Sequence, residues 1–222
     1  MHKLAHSFSS LELFENCPLR YYKQRVSKEV RDEGGSASIY GERVHKAFED
    51  RLKDKVPLPD YLAAHEPTCA TIESMGGILK AENELVLTKE LKPTGWWDED
   101  AWLRSKLDVD VDLGDKTVTL DWKTGKRRPK FLQLELAALQ IFLHRPDVKK
   151  ISAGFVWLQD KDIDSEVYKR EDYGNTLQKL QDKTKRIEDA LEEGVWQAKP
   201  GPLCNYCPAK DTCLYADTRR RR

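Results

Sequence analysis

Two short apolar stretches in the middle of the chain carry a charged residue at every second position. The charged residues are Asp108, Asp110 and Asp112 in the first stretch and Asp121 and Lys123 in the second. Side chains at alternate positions of a strand share one face, and a tight turn at Gly114-Asp115 would pair the two strands. Carboxylates this close repel one another unless a cation or proton intervenes, so the pattern favours a hard divalent ion such as Mg²⁺ or Mn²⁺. A merely solvated sheet face would give the same pattern.

A run of basic residues follows the second stretch. No acidic residue lies between Lys123 and Lys130, and the cations between them are Lys126, Arg127 and Arg128. Lys+Arg and Asp+Glu both number 38, so the formal net charge is zero and the chain as a whole does not attract polyanions. A nucleic acid would therefore have to be bound by a local patch, and Lys126, Arg127, Arg128 and Lys130 are the candidates.

Three of the five cysteines are close together near the C-terminus. Cys204, Cys207 and Cys213 have the spacing C-x2-C-x5-C. Tetrahedral zinc and iron–sulfur clusters need four thiolates, so a fourth cysteine must come from elsewhere. An odd number of cysteines with two isolated ones is not typical of the disulfide framework of a small secreted protein. The pattern favours a metal site in a reducing compartment, although three buried thiols remain an alternative.

Length and composition suit one compact domain. The chain has 222 residues, of which 39% are hydrophobic and 34% charged. It contains no apolar run of about 18 residues that could span a membrane, and residues 1–10 lack the apolar core of a secretory signal. We therefore expect an intracellular protein without a membrane partner.

The hydrophobic periodicity predicts a small α/β fold. Helices are predicted over residues 40–52, 57–81, 132–143 and 172–193, and strands over residues 85–87, 102–113, 116–123 and 151–158. This order predicts a small mixed central sheet flanked by helices. The first of these helices carries His45, and the two charged stretches fall on a predicted hairpin.

Three motifs follow one another along the chain: Gly41-x3-His45-x3-Glu49, then Leu107-Asp108, then Asp121-Trp122-Lys123-Thr124-Gly125. They resemble the motifs of the PD-(D/E)XK nucleases, specifically the RecB-like branch that includes nuclease domains of recombination helicase-nucleases and CRISPR adaptation nucleases. The segment from Phe8 to Pro18 also resembles the N-terminal box of that branch, which ends in Cys-Pro. The resemblance covers nearly the whole chain.

This resemblance implies a restriction-endonuclease-like core of element order αβββαβ and a role for each matching residue. It makes His45, Asp108, Asp121 and the backbone carbonyl of Trp122 the ligands of Mg²⁺ or Mn²⁺, with Lys123 as the catalytic lysine. Gln133 matches the first residue of the family motif Q-x3-Y and would orient the lysine or the substrate. Ala137 stands where that motif has tyrosine, so the match there is partial.

The resemblance also implies a [4Fe-4S] cluster bound by Cys17, Cys204, Cys207 and Cys213, with zinc as the alternative metal. Residues 1–30 and 195–215 would form this cysteine subregion, and the cluster would join the two ends of a single nuclease domain spanning residues 1–222. Residues 216–222 would be a disordered basic tail.

The function implied is that of a metal-dependent DNA nuclease, expected to act as an exonuclease on single-stranded or end-opened DNA, with endonuclease activity left open. The chain has no G-x4-G-K-[ST] motif, so unwinding would need a partner such as a helicase or a recombination or CRISPR adaptation complex. Two alternatives are a catalytically idle DNA-end-binding subunit and a zinc-containing interaction module. The sequence leaves the oligomeric state open.

Overall fold

A computed structural model of the chain describes residues 4–216, which form two compact units. The central unit comprises Gly34–Gln178, and the terminal unit combines Met1–Glu33 with Lys179–Arg222. Most of the predicted basic tail lies outside the described residues. That all of residues 1–222 form a single domain stays a prediction.

Helices and strands follow one another in the predicted order up to the fourth strand, after which the structure has a fifth strand that the periodicity does not predict. The α-helices are α1 (Phe8–Asn16), α2 (Pro18–Tyr21), α3 (Ser36–Asp54), α4 (Glu66–Ser74), α5 (Leu132–His144) and α6 (Tyr173–Glu193). The strands are β1 (Ile78–Thr88), β2 (Ala101–Asp112), β3 (Lys116–Lys123), β4 (Lys150–Trp157) and β5 (Asp162–Lys169). Within the described range, no helix is both long and apolar enough to cross a bilayer.

The strands form one mixed sheet in the order β1-β2-β3-β4-β5. Strands β3 and β4 are parallel, with Lys123 opposite Trp157, and the other neighbouring pairs are antiparallel. A parallel pair needs a long crossover connection, and α5 supplies it. The sequence α3-β1-β2-β3-α5-β4 confirms the predicted α/β class and is consistent with a restriction-endonuclease-like core.

Helices cover both faces of this sheet. On one face, Val44, Phe48 and Leu52 of α3 lie in a core cluster with Trp122, whose ring stacks on that of Phe48 at a centroid distance of 4.1 Å. On the other face, Leu134, Ala138 and Ile141 of α5 share a core cluster with Ile151, Ala153 and Phe155 of β4. Alternate residues of β4 enter different clusters, as the pleat of a strand requires.

The predicted helix over residues 57–81 is wrong in its second half. Helix α4 ends at Ser74, and Gly76 and Gly77 follow with positive φ angles of 72° and 82°. A Cβ atom on Gly77 would lie 2.2 Å from the carbonyl oxygen of Asp112, so this position requires glycine. Strand β1 then begins at Ile78 rather than Leu85, because backbone pairing with β2 extends through a polar stretch that sequence periodicity assigns to a helix.

Aromatic packing joins the two chain ends within the terminal unit. The ring of Trp196 stacks on Tyr21 at a centroid distance of 6.1 Å and meets Phe14 edge-on at 6.3 Å. The amide of Leu19 also donates a hydrogen bond of 3.2 Å to the carbonyl of Gln197. These contacts place the N-terminal Cys-Pro segment beside residues that follow α6.

Candidate active site

The ladder between β1 and β2 is interrupted where two carboxylates face each other. Ala81 pairs with Val109 and Asn83 pairs with Leu107, while Glu82 and Asp108 between them make no ladder pair. Glu82 has a φ of 54°, in the left-handed region that costs a residue with a side chain of order 1 to 3 kcal/mol. Such strain at a glutamate is typical of a functional site.

The interruption also changes the direction of the side chains. Before it on β1, Ala81 packs with the α3 core cluster, and after it Leu85 belongs to the α5 cluster. On β2, Leu107 and Val109 divide between the same two clusters. Simple alternation therefore fails here, and the three aspartates of β2 do not share one environment as the sequence pattern predicts.

Asp110 is a buried structural residue. Its side chain is fully buried, forms an ion pair with Arg145 and accepts a hydrogen bond of 2.8 Å from the side-chain amide of Asn83. The guanidinium of Arg145 also lies 3.7 Å from the carboxylate of Asp112. Arg145 thus neutralises two of the three aspartates and leaves Asp108 to a different set of contacts.

His45, Glu82 and Asp108 converge on one point. Their ligand atoms all lie within 4.8 Å of one another, and Nδ1 of His45 is 3.1 Å from Oδ1 of Asp108. Two carboxylates and an imidazole are oxygen and nitrogen donors suited to Mn²⁺ or Mg²⁺. The residues present therefore fit a hard divalent cation.

Asp121, Lys123 and Gln133 form a second polar group. The ammonium of Lys123 lies 2.7 Å from Oδ2 of Asp121 and donates a hydrogen bond of 2.9 Å to Oε1 of Gln133. The amide nitrogen of Gln133 donates to the other oxygen of Asp121. The ammonium also lies 4.9 Å from the centroid of the Phe155 ring, which adds a cation–π contact. Lysine, aspartate and glutamine hold one another in place.

The backbone of Trp122 connects the two groups. Pairing between β2 and β3 reaches only as far as Val109 opposite Leu120. The next residues of β3 pair with β4 but have no partner in the ladder with β2. The amide of Trp122 then donates a hydrogen bond of 2.7 Å to Oδ2 of Asp108. In an extended strand, the amide and carbonyl of one residue point to the same side, so the carbonyl of Trp122 also faces β2.

The electrostatics of the site reflect crowded acids. Burial, together with the neighbouring charge of Asp108, raises the pKa of Asp121 to about 6 in spite of Lys123. Burial alone would lower the pKa of His45, but its hydrogen bond to Asp108 and the charges of Asp108 and Asp121 outweigh burial and raise that pKa. A divalent cation would relieve this repulsion.

Glu82 is the site residue that the sequence analysis missed. Periodicity placed residues 57–81 in a helix, so Glu82 fell at a predicted helix end and had no strand partner. Its proximity to Asp108 results from antiparallel pairing between residues that are far apart in the sequence. No spacing rule within the single sequence marks it.

The basic loop after β3 divides into engaged and exposed residues. Arg127 forms ion pairs with Asp162 and Asp164 of β5, which fastens the loop to the edge strand. Lys126 and Arg128 are exposed and have no ion-pair partner in the described part of the chain. Of the predicted DNA-binding residues, Arg127 is therefore committed to a structural contact.

Four cysteines line one cavity of about 120 Å³ in the terminal unit: Cys17, Cys204, Cys207 and Cys213. Burial raises the pKa of the Cys207 thiol, and negative charge at Cys17 and Cys213 adds to this effect. Among residues 4–216, no three cysteine sulfurs come within 4.8 Å of one another, so the predicted metal cluster stays a prediction. Cys69 is fully buried elsewhere, and burial raises its pKa to about 11.

Two solved structures share this fold at low sequence identity. The crystal structure of SSO0001 aligns with a TM-score of 0.50 and 15% identity, covering 96% of this chain and 87% of that chain. A protein described as a candidate exonuclease from Eubacterium rectale aligns with a TM-score of 0.53 and 17% identity, covering 93% and 88%. At these identities the similarity concerns the fold alone. The comparison with curated proteins gave no significant match.

Sequence comparison with protein families assigns the chain more directly. The model of the PD-(D/E)XK nuclease superfamily matches residues 5–101 and 68–214, which together span most of the chain. The matched region contains every acidic residue of the candidate site. The chain belongs to the PD-(D/E)XK nuclease superfamily.

Proposed function

We propose that this protein is a metal-dependent DNA exonuclease that hydrolyses phosphodiester bonds of single-stranded or end-opened DNA. The observation that carries the proposal is the convergence of His45, Glu82 and Asp108 beside the Asp121-Lys123-Gln133 group. Membership in a nuclease superfamily supports the reaction class. One structural relative is itself described as an exonuclease, which supports the exonuclease character.

The proposed division of labour follows from the contacts. His45, Glu82, Asp108, Asp121 and the Trp122 carbonyl would hold Mg²⁺ or Mn²⁺, which when bound polarises the scissile phosphate and lowers the pKa of a water molecule. Lys123 carries a positive charge that its contacts with Asp121 and Gln133 orient. An ammonium fixed in this way can donate hydrogen bonds to a phosphate oxygen or hold the attacking water. Gln133 acts as a positioning residue because it contacts both Asp121 and Lys123.

We further propose a [4Fe-4S] cluster in the cysteine-lined cavity. The backbone amides of Lys199 and Gly201 point at the sulfurs of Cys17 and Cys204, at 3.5 Å and 3.2 Å, and such donors stabilise thiolates. Zinc held by the same four thiolates is the alternative.

The direct test of the nuclease proposal is degradation of end-labelled DNA. We expect cleavage with Mn²⁺ or Mg²⁺, none with EDTA, and none by the Asp121→Asn variant in either metal. Labels at the 5′ and 3′ ends, together with a circular single strand, separate exonuclease from endonuclease activity. Unaltered cleavage in EDTA, or wild-type turnover by the variant, would overturn the proposal. Binding of DNA ends without cleavage in any metal would favour the idle DNA-binding subunit instead.

A further inference from the structure

The connection between β1 and β2 carries an unusually exposed tryptophan. The side chain of Trp97 is 86% exposed, whereas nearby Trp102 is only 7% exposed. Large aromatic side chains usually bury most of their surface, and Trp97 contributes almost nothing to the core. Because its ring is exposed, Trp97 is available to stack on a ligand.

Arg104 links this ring to its neighbour. Its guanidinium carbon lies 5.5 Å from the centroid of the Trp96 ring and 5.8 Å from that of Trp97. Nε of Arg104 is buried and has no hydrogen-bond partner within residues 4–216. Arg104 is half-buried beside both indoles and forms no ion pair within residues 4–216, so the terminal nitrogens of its guanidinium, rather than the buried Nε, can bind an anion such as a phosphate.

A basic residue continues this row toward the candidate active site. Lys106 lies two positions beyond Arg104 on β2, and alternation places both on one face of the strand. The Lys106 ammonium forms an ion pair with Glu82, which belongs to the candidate metal site. Arg104 and Asp108 are separated by about 13 Å at the rise of a β-strand. The row thus runs from exposed indoles through two cations to the carboxylates.

Several acidic residues lie near this row, among them the exposed Glu99 beside Trp97. Asp98 accepts hydrogen bonds from the Thr94 hydroxyl and the Gly95 amide, both at 2.6 Å, and so shapes the loop. Asp100 accepts from the same hydroxyl at 3.2 Å. Glu84 stands opposite Lys106 in the strand register. These charges oppose polyanion binding, so base stacking on the indole must supply part of the affinity.

We propose that Trp96, Trp97, Arg104 and Lys106, which we call the hairpin row, bind single-stranded DNA and direct it toward the metal site. A base would stack on Trp97 and the adjoining phosphate would meet Arg104, while Lys106, whose ammonium is paired with Glu82, links the row to the metal site. Stacking requires a base whose face is free, and the bases of a duplex are already stacked on one another, so the row selects single strands. This inference rests on the proposed nuclease function, whose substrate it specifies.

Binding measured without cleavage tests the row. Fluorescence anisotropy with labelled oligodeoxythymidylate and with a duplex is measured in EDTA. We expect Trp97→Ala to weaken binding of the single strand by about 5- to 100-fold, which is the range for one stacked base, and to leave duplex binding unchanged. Trp97→Phe should retain most of the affinity. Tyr61→Ala, which removes another exposed aromatic ring of the central unit, is the matched control and should change neither.

The charge of the row is tested by salt. Arg104→Gln should reduce the log–log salt slope of single-strand binding by about 0.7, the value for one lost phosphate contact. Equal losses for single strand and duplex in Trp97→Ala, or no loss at all, would overturn the inference.

Cleavage assays separate the two proposals. If Trp97→Ala cleaves single-stranded and duplex DNA as the wild type does, the proposal for the hairpin row is wrong and the nuclease proposal stands. If the wild type binds single strands through Trp97 but cleaves nothing in Mn²⁺ or Mg²⁺, the nuclease proposal fails and the binding row stands.

Discussion

Holding the carboxylates of Glu82 and Asp108 together costs free energy, through strain in the backbone and repulsion between the two charges. Glu82 adopts a left-handed φ of 54°, and its carboxylate shares a small volume with that of Asp108. Among the described residues, the side chains of His45 and Lys106 lie in ion-pair contact with Asp108 and Glu82 and offset this charge. A residue kept in such a position contributes to function rather than to stability.

Glu82→Gln should therefore weaken metal binding without destabilising the fold. The substitution keeps the shape of the side chain and removes one negative charge from a crowded site. We expect a higher Mn²⁺ concentration for half-maximal cleavage and an unchanged or raised melting temperature. Glu84→Gln, two residues away on the same strand and exposed, is the matched control. An identical metal requirement in both variants would remove Glu82 from the ligand set.

Asp108 and Asp110 should respond in opposite ways to alanine. Asp108→Ala removes the contact with His45 and the acceptor of the Trp122 amide; it should abolish cleavage, while relief of the charge repulsion offsets part of the lost hydrogen bond. Asp110→Ala leaves the half-buried Arg145 without its main partner and should cost about 3 kcal/mol of unfolding free energy, by the cost of breaking a buried pair. Urea denaturation and cleavage of end-labelled DNA measure the two effects. A stable Asp110→Ala protein that cannot cleave would reverse the assignment.

At the scale of elements, the basic loop is fixed at both of its sides. Arg127 binds two aspartates of β5, and the side chain of Gln159 donates a hydrogen bond of 2.8 Å to the Thr124 carbonyl. These contacts hold the loop that directly follows Lys123. The exposed residues Lys126 and Arg128 therefore lie a few residues after Lys123 in a loop that the ion pairs of Arg127 hold against β5.

The loop arginines and lysines should consequently separate into binding and structural residues. The double variant Lys126→Ala/Arg128→Ala should lower the log–log salt slope of single-strand binding by about 1.4, for two phosphate contacts. Arg127→Ala should change that slope little, because its charge is already paired. Anisotropy titrations at several salt concentrations give the slopes. The opposite result, with a larger change for Arg127→Ala, would make the ion pairs with β5 secondary to DNA binding.

At the scale of the whole molecule, the two chain ends meet in one unit. Cys17 and the cysteines of the C-terminal segment line the same cavity, although more than 180 positions separate Cys17 from Cys204. A metal group bound there would remove much conformational freedom from the unfolded chain. The terminal unit would then depend on its metal for stability.

Anaerobically purified protein should be brown and contain about four irons and four acid-labile sulfides per chain. Cys17→Ser should remove the colour as completely as Cys207→Ser and should lower the melting temperature. Cys69→Ser is the control, because this buried thiol lies outside the cavity and should leave the iron unchanged. A colourless protein with one zinc ion per chain would show that the cysteines bind zinc rather than an iron–sulfur cluster. Iron retained in Cys17→Ser would show that Cys17 is not a ligand and that the cluster does not connect the two chain ends.

The sequence by itself predicted the order of elements from α3 to β4 and most residues of the candidate site. Helical periodicity on α3 and α5 and alternation on β3 are local patterns, since each reflects which face of one element is buried. The residues His45, Asp108, Asp121, Lys123 and Gln133 follow from spacing within single elements and from family resemblance. The structure brings these residues into two adjoining polar groups.

Only the tertiary structure decided which charges are neutralised and which remain available. Glu82 joins the site through strand register, Arg145 takes Asp110 out of it, and Arg127 is bound by β5, an edge strand whose polar sequence shows no strand pattern. The exposure of Trp97 likewise depends on the tertiary structure, since Trp102 a few residues later is buried. Pairing between residues distant in sequence depends on strand register and on packing, and neither can be predicted from local composition.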